Sequence, residues 1–290
     1  MFRPRVLIVS EHASARFGGE AILPLHYFRG LRRRGIEAFL LVHERTREEL
    51  TETLGGDIDR VTFISDARVQ KALHRWSGAL PERLARVTLG WGIRLSTQLA
   101  ARGIAKDLIR ALGIHVVHQP IPVSPREPSL LYGLGAPVVM GPMNGAMRFP
   151  PAFDHMNGPA TKLVTELGQR SSTVLSHLMP GKRRAAAVLY ANERTRLALS
   201  STSVALIEMP ENGVELDVFS PTGRMAPEQP RFAFMGRLVD WKQVDVAIDA
   251  LARARTWVRL EIVGDGPLRG ALEAYACERE CAIACPSPVG

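Results

Sequence analysis

The chain has 290 residues, of which 46% are hydrophobic and 23% are charged, and this balance is typical of globular proteins with an extensive core. Its length predicts two domains, and its net charge of +8 favours an acidic partner such as a nucleotide diphosphate or an anionic membrane surface. The sequence contains no basic run interleaved with aromatic residues and no zinc-finger spacing, so we predict that nucleic acid is not the partner.

The first predicted strand, residues 6–9, leads into a loop that ends in Gly18 and Gly19. Because glycine has no Cβ atom, the backbone at this pair can approach a ligand closely and offer its amide groups to an oxyanion. A simple turn before the following helix is the alternative interpretation. The sequence therefore marks Gly18 and Gly19 as candidates for a ligand-binding loop.

Two patterns raise the question of a metal site. Asp57 and Asp59 form an Asp-x-Asp triplet, but they precede the third predicted strand, residues 61–64, instead of ending a strand. Three cysteines follow in steps of four residues, a spacing that matches no known ligand pattern: Cys277, Cys281 and Cys285. We predict no metal site and no cofactor.

Residues 69–112 form a long basic segment with a helical pattern of apolar residues. Such a helix can lie on anionic lipid, and the alternative is a covering helix layer with a solvated face. No apolar run approaches about 18 residues, and the first strand is too short for the core of a signal peptide. These features predict a cytoplasmic protein, with peripheral contact with the inner face of the membrane as one interpretation of the basic segment.

His118 lies at the end of the predicted strand 116–119, where an α/β protein places its ligand crevice. A structural role is the alternative for a single histidine. The Pro- and Gly-rich segment 221–230 predicts a linker, which separates an N-terminal domain at 1–220 from a second domain at 231–290. The remaining strands of the first domain are predicted at residues 36–42, 137–140, 188–191 and 205–209.

The segment 231–272 has the pattern of strand, helix, strand and helix, with a buried strand predicted at 232–235 and Pro267 in the first turn of the last helix. Arg237 and Lys242 follow the first of these strands. A helix start favours an anion because its backbone N–H groups are unpaired, and an arginine fork and a lysine charge add to that preference. The chain has five lysines against 32 arginines, so a lysine at this turn is informative. Two solvated loop cations are the alternative.

The order of motifs in this segment resembles that of one family. Gly-Arg-Leu at 236–238 is followed by Trp-Lys at 241–242 and by Val-Gly-Asp-Gly-Pro-Leu at 263–268. This order resembles the donor-binding domain of GT-B glycosyltransferases of family 4 (glycosyl transferases group 1). The resemblance implies an α/β fold of the GT-B type, with an N-terminal Rossmann-like parallel-sheet domain on the acceptor side and an incomplete second Rossmann-like domain that binds a nucleotide sugar.

The resemblance also implies roles for individual residues. Arg237 and Lys242 would hold the diphosphate of a sugar nucleotide, and Gly18 and Gly19 would face the donor from the first domain. A second loop of the donor domain would be formed by Gly264, Asp265 and Gly266.

Two features depart from the family's pattern. The family's functional histidine near the transferred sugar matches either His118, our candidate catalytic residue, or the position of Pro120. After Leu272 the resemblance stops, and a pair of glutamates that contact the donor's sugar and ribose has no counterpart. We therefore expect a chain truncated within the donor-binding domain, with little or no turnover.

The predicted function is transfer of a sugar from a nucleotide-sugar donor to a hydroxyl acceptor in cell-envelope glycan or glycolipid synthesis. The resemblance implies a retaining, metal-independent reaction, and the expected partners are the donor and a glycan or lipid-linked acceptor. Two alternatives stay open. One is a catalytically incomplete remnant that binds nucleotide or a partner protein, and the other is a GT-B-type nucleotide-sugar epimerase.

Overall fold

A computed structural model gives the fold of the chain. The structure describes residues 3–65, 82–147, 179–199, 203–213, 216, 219, 229–254, 258–279 and 283–284, with the backbone alone for 82–94 and 283–284. The chain divides into two compact units, Met1–Gly213 and Val214–Gly290. The domain boundaries 1–220 and 231–290, with a linker at 221–230, stay a prediction.

The first unit is built on a parallel sheet in the order β3-β2-β1-β4-β5-β6-β7. In chain order its strands are β1 Arg5–Val9, β2 Glu37–His43, β3 Val61–Ile64, β4 Val116–Gln119, β5 Val138–Met143, β6 Ala187–Tyr190 and β7 Ala205–Glu208. Its helices are α1 Leu23–Arg33, α2 Arg47–Leu54, α3 Glu82–Leu112 and α4 Glu193–Leu199, with short 3-10 turns at Glu44–Thr46, Gly55–Arg60 and Lys182–Arg184. Because β1 pairs with both β2 and β4, the strand order reverses there, and the carboxyl ends of β1 and β4 flank a crevice.

Both faces of this sheet are buried, as successive residues of β1 illustrate. Val6 and Ile8 pack against Phe28 of α1 on one face. Leu7 and Val9 belong to the cluster on the other face, which includes buried residues of α3. A parallel sheet covered by helices on both faces reads as a near-continuous apolar run, which is why the sequence pattern of this strand is not alternating.

Strand β5 is longer than the sequence predicts. The predicted strand ends at Met140, but β5 continues through Gly141 and Pro142 to Met143. Its register with β6 shifts between Met140 and Met143. Proline has no N–H group to donate to the ladder, so regular pairing stops at this dipeptide and resumes at Met143, opposite Tyr190.

The long basic segment predicted at 69–112 is helical in its described part, which is α3. Residues 69–81 of the predicted segment lie outside the described residues. Among the helices of the described ranges, none combines the length and the hydropathy that crossing a bilayer requires.

The second unit contains a smaller parallel sheet in the order β10-β9-β8. Its strands are β8 Arg231–Met235, β9 Arg259–Val263 and β10 Ile283–Ala284, its helices are α5 Val244–Arg253 and α6 Arg269–Glu278, and a 3-10 turn spans Asp240–Lys242. Its core consists of residues that are at most 8% exposed: Leu238, Val244, Ile248, Leu260, Ile262, Leu272 and Ala276. The predicted order of strand, helix, strand and helix is therefore present.

Two local predictions for the second unit are wrong. The run 232–235 predicts a buried strand, but Phe232 is 60% exposed and Met235 is 80% exposed. Strand β8 pairs on one side only within the described sheet, so it has the exposure of an edge strand. Pro267 does not lie in the first turn of α6, because the helix begins at Arg269, two residues later.

Candidate functional site

The loops after β8 and β9 are hydrogen-bonded to each other at the carboxyl edge of the second sheet. The Gly236 N–H donates to the Val263 carbonyl at 3.0 Å, and the Leu238 N–H donates to the Asp265 carbonyl at 2.9 Å. The Leu238 carbonyl in turn accepts from the Leu268 N–H at 3.2 Å. These three backbone bonds join the two loops into one element.

Glycine is required at two positions of these loops because their backbones are in contact. A Cβ atom at Gly264 would overlap the carbonyl oxygen of Gly236, and one at Gly266 would overlap the carbonyl oxygen of Leu238. Asp265 lies between them, exposed, and its Oδ1 accepts from the Gly266 N–H at 2.9 Å. The contacts give both glycines a packing role, and a contact of this loop with the donor stays a prediction.

Arg237 and Lys242 flank the buried pair Leu238 and Val239 in the loop after β8. Both residues are exposed, and neither side chain forms a hydrogen bond or an ion pair with a residue that the structure describes. Gln243, at the N-cap of α5, has a left-handed φ of 50°, and its side chain does not cap the helix. Two available cations therefore lie next to a helix start whose amides lack a side-chain acceptor, an arrangement suited to an anion.

The loop between β1 and α1 carries Gly18 and Gly19. Gly18 has a φ of +108°, which L side chains rarely adopt, and a Cβ at either glycine would meet open space. Glu49 of α2, 6% exposed, anchors the first half of this loop by accepting from the Ser14 hydroxyl at 2.5 Å and from the Ala15 N–H at 2.7 Å. The anchored loop presents its glycines at the surface, and their contact with a donor stays a prediction.

His118 is buried within the first unit. Its Nε2 donates to the Gly141 carbonyl at 2.7 Å, and its ring lies edge-on to Tyr27 with centroids 4.5 Å apart. Desolvation lowers the pKa of His118, and the hydrogen bond to Gly141 opposes that shift only in part, so the imidazole is neutral at pH 7. The neighbouring Gln119 faces the other side of the strand and lines a cavity, whereas His118 does not. The catalytic role of His118 stays a prediction.

A cavity of about 450 Å³ lies at the carboxyl ends of β1 and β4. Its wall includes the carboxylates of Glu11, Glu20 and Glu127 and the amides of Gln98 and Gln119. It occupies the point where the strand order reverses, at which α/β sheets bind their ligands.

The two amides of this wall hold the segment 129–131, of which Leu131 lines the cavity. Gln98 Oε1 accepts from the Leu130 N–H at 2.9 Å, and Gln119 Oε1 accepts from the Ser129 hydroxyl at 2.7 Å. The Ser129 oxygen also accepts from the Leu131 N–H at 3.1 Å. Because the amide oxygens are engaged in this way, the Glu20 carboxylate, whose oxygens have no hydrogen-bond or ion-pair partner among the described residues, is an acceptor that remains for a ligand.

Glu20 is an exposed residue whose carboxylate lies among other negative charges. Its side chain forms no hydrogen bond or ion pair with any residue of the described ranges. Partial desolvation raises the pKa of Glu20, and the negative charges of Glu211 and Glu127 raise it further. Burial, together with the charge of Glu211, also raises the pKa of Tyr27 to about 12. This edge of the first sheet is therefore rich in negative charge.

A chain of side-chain hydrogen bonds fixes Glu211. The Asn144 amide donates to Glu211, and the Asn192 amide donates to Asn144 Oδ1 at 2.9 Å. Asn192 Oδ1 accepts from the Thr195 N–H at 3.0 Å, so the same residue caps α4. The segments that follow β5, β6 and β7 are thereby connected.

Lys182 supports the loop that carries Glu127. It is 8% exposed, and its Nζ donates to the carbonyl oxygens of Ser124 at 3.0 Å and Pro125 at 2.7 Å. Burial lowers the pKa of Lys182 to about 7, against the opposing effect of the Glu127 charge. The lysine therefore acts as a buried donor between two backbone carbonyls.

We expect the contribution of Lys182 to stability to increase with pH. Its folded pKa of about 7 lies below the unfolded value of about 10.4, so the unfolded chain binds more protons between these limits and the free energy of unfolding rises. Urea unfolding of the wild type and of Lys182→Met should show their difference in free energy growing by roughly 3 kcal/mol from pH 7 to pH 10. In the variant the carbonyl oxygens of Ser124 and Pro125 lose their donor, and the free energy that this loss costs does not depend on pH.

The matched control is Lys106→Met. It removes a lysine of α3 whose side chain forms no hydrogen bond with a described residue. A difference between the wild type and Lys182→Met that does not change with pH would contradict the lowered pKa.

The predicted absence of a metal site can be examined only in part. Asp57 lies in a 3-10 turn and forms an ion pair with Arg32 at 3.0 Å. Within the described ranges, no group of three or more His, Cys, Asp or Glu side chains is placed to hold a metal ion. Of the three cysteines, Cys277 is described and exposed, while Cys281 and Cys285 lie outside the described residues.

Sequence reasoning missed most of the polar residues at the first sheet. Glu20, Glu127 and Lys182 belong to no motif. The scarcity of lysine could have drawn attention to Lys182 as it did to Lys242. Because successive side chains of a strand point to opposite faces of the sheet, the sequence could also have indicated that Gln119 and His118 face different sides.

Solved structures with the same fold are found at low sequence identity. HepE from Anabaena, in complex with UDP, matches with a TM-score of 0.58 at 12% identity, over 99% of this chain and 70% of HepE. A glycosyltransferase from Rickettsia africae matches with a TM-score of 0.57 at 11% identity, over 100% of this chain and 69% of its own. The lipopolysaccharide outer core galactosyltransferase WaaB matches with a TM-score of 0.51 at 12% identity, over 99% of this chain and 68% of WaaB.

The chain has the GT-B fold. The predicted α/β class of the GT-B type, with a parallel Rossmann-like sheet in the first unit, is confirmed. No protein-family model matches the chain, and no curated protein matches it in sequence. At identities of 11–12% a GT-B likeness shows the fold alone.

Proposed function

We propose that this protein is a glycosyltransferase that moves a sugar from a nucleotide-sugar donor to a hydroxyl acceptor. The observation that carries the proposal is the pair of exposed cations Arg237 and Lys242, unpaired among the described residues, beside the start of α5. HepE, which has the same fold, was solved with UDP and with UDP-glucose, and this supports a nucleotide sugar as the donor.

The chemistry of sugar transfer suits this arrangement of charges. Breaking the bond between a sugar and a diphosphate builds negative charge on the leaving group. Arg237, Lys242 and the first amides of α5 would stabilise that charge as it develops, without reorganising. We include His118 in the proposal as a residue near the transferred sugar.

The motif resemblance supports the finer features of the proposal. They are membership of family 4, retention of the anomeric configuration, and an acceptor in a cell-envelope glycan or glycolipid at the inner face of the membrane. The net charge of +8 is compatible with work beside an anionic surface.

Release of nucleoside diphosphate from UDP-, GDP- and ADP-sugars, with octyl glucoside as the acceptor, tests the proposal. We expect only slow release, in keeping with the low turnover expected from the sequence, from at least one donor and at a rate above that of a variant in which Arg237 and Lys242 are both alanine. Donor binding without release would favour the catalytically incomplete remnant. Absence of both binding and release would overturn the proposal.

We expect sugar transfer to be independent of a divalent metal ion. The proposed diphosphate site supplies its own positive charge through Arg237 and Lys242, and Asp57 is already paired with Arg32. The rate of transfer should stay within about twofold when EDTA is added to the diphosphate-release assay, because these cations fill the role of a metal. Loss of activity in EDTA that manganese or magnesium restores would contradict the expectation and revive Asp57 and Asp59 as ligands.

A further inference from the structure

We propose that the cavity at the carboxyl ends of β1 and β4 binds a hydroxyl-rich group without negative charge, a neutral or amine-bearing sugar. The inference rests on the proposed function, since this cavity would then hold the sugar acceptor in the first unit. It excludes acceptors whose bound group carries a phosphate or a carboxylate.

The cavity has the size and the place of a small-molecule site. Its volume of about 450 Å³ lies within the range of roughly 300–1,000 Å³ that is usual for ligand pockets. It lies at the reversal of the strand order, and the hydrogen bonds of Gln98 and Gln119 hold the segment 129–131, of which Leu131 lines the cavity. This part of the wall is therefore held in place by the protein's own hydrogen bonds.

Negative charge dominates this wall. Glu11, Glu20 and Glu127 line the cavity, and none of the described residues that line it is a lysine or an arginine. Glu11 is partly neutralised by Arg45, which lies 3.5 Å from its carboxylate. His12 also lines the cavity, 3.7 Å from the same carboxylate, and it adds a positive charge only when it is protonated. Glu20 has no such partner within the described ranges. A chain with a net charge of +8 thus presents an acidic cavity.

Like charges oppose an anionic ligand here. The pKa of Glu20 is already raised by desolvation and by the charges of Glu211 and Glu127, so a further negative charge would add to an existing repulsion. An ammonium group would relieve that repulsion through charge-assisted hydrogen bonds.

The remaining features of the wall suit a sugar. An ionised carboxylate accepts hydrogen bonds and donates none, so the hydroxyl groups of a sugar can donate to its oxygens. Phe17 lines the cavity and is 57% exposed, so its ring can pack against the C–H groups of a sugar ring. Acceptors and one aromatic surface are therefore combined in the same cavity.

Saturation-transfer NMR with competition titrations on the full chain tests the proposal with four probes of one ring type. The probes are glucosamine, methyl glucoside, glucose 6-phosphate and glucuronate. We expect glucosamine to bind about tenfold more tightly than methyl glucoside, and both anionic sugars to bind at least about tenfold more weakly than methyl glucoside.

A double variant, Glu20→Gln with Glu127→Gln, removes two charges while conserving side-chain size. Glucosamine and methyl glucoside are expected to bind this variant with equal affinity. Glu48→Gln, which changes an exposed glutamate of α2 outside the cavity, is the matched control and should keep the preference for the amine. If the double variant fails to fold, the comparison of the four probes on the wild type still decides.

Three outcomes overturn the inference. They are binding of either anionic sugar as tightly as methyl glucoside, absence of binding by all four probes, and an amine preference that survives in the double variant. UDP binding in the same samples reports separately on the proposed donor site in the second unit. Loss of UDP binding with the expected sugar preference would overturn the proposed function and leave the charge class of the cavity's ligand established.

Discussion

Replacing both Arg237 and Lys242 by alanine is expected to weaken binding of a nucleoside diphosphate by about a hundredfold or more. Each side chain is exposed and unpaired among the described residues, so each is available for a charge-assisted contact with a phosphate oxygen. One such contact contributes about 1.5–3 kcal/mol, which is about tenfold or more in affinity. Isothermal titration calorimetry with UDP, GDP and ADP on the single and double variants measures the loss.

Two further variants make this test specific. Arg253→Ala removes an exposed arginine from the last turn of α5 and leaves the loops after β8 and β9 unchanged, so its affinity should stay within about twofold of the wild type. Arg237→Lys should lose part of the affinity, because lysine lacks the planar fork that grips two phosphate oxygens. Equal affinities of the double alanine variant and the wild type would remove the phosphate assignment.

Gly264→Ala and Gly266→Ala are each expected to destabilise the second unit by about 4 kcal/mol and to abolish binding of a nucleoside diphosphate. Each added methyl group would overlap a backbone carbonyl oxygen, that of Gly236 or of Leu238, and no side-chain rotation can relieve such an overlap. The two loops must then separate, and the hydrogen bonds between them are lost. Hydrogen exchange of the amides in β9 and α5 measures the loss of stability.

The control for these glycines is Gly270→Ala. A Cβ atom at Gly270 would meet open space, and the position lies in the first turn of α6. Alanine has the higher helix propensity, so this variant should gain about 0.5–1 kcal/mol. Wild-type stability in Gly264→Ala would show that the loops are not in contact as described.

The strands of both units, apart from the short β10, could be predicted from local patterns. The predicted segments 6–9, 61–64 and 205–209 correspond to β1, β3 and β7 to within one residue. A strand buried on both faces reads as a short apolar run, and that signal lies entirely within the segment. The error at β5 has a local cause as well, because a Gly-Pro dipeptide has the pattern of a turn although the strand passes through it.

The two candidate sites differ in how far the sequence could reveal them. Arg237 and Lys242 lie five residues apart on one loop, so their proximity to a helix start follows from the order of residues alone. The acidic cavity brings Glu20 together with Gln119 and Glu127, which lie roughly a hundred residues further along the chain. Only the parallel pairing of β1 with β4 places them at one edge of the sheet.

The sequence by itself thus determined most of the elements and the loop cations, because each depends on residues that are near neighbours in the chain, and the order of motifs indicated the GT-B class by resemblance. The tertiary structure decided which side of β4 each side chain faces, and so placed Gln119 in the cavity and His118 against Tyr27. It also decided the exposure of Phe232, because burial of a strand depends on which strands and helices lie beside it. Pairing between distant segments is not encoded in local periodicity, and the charge of the cavity arises from that pairing.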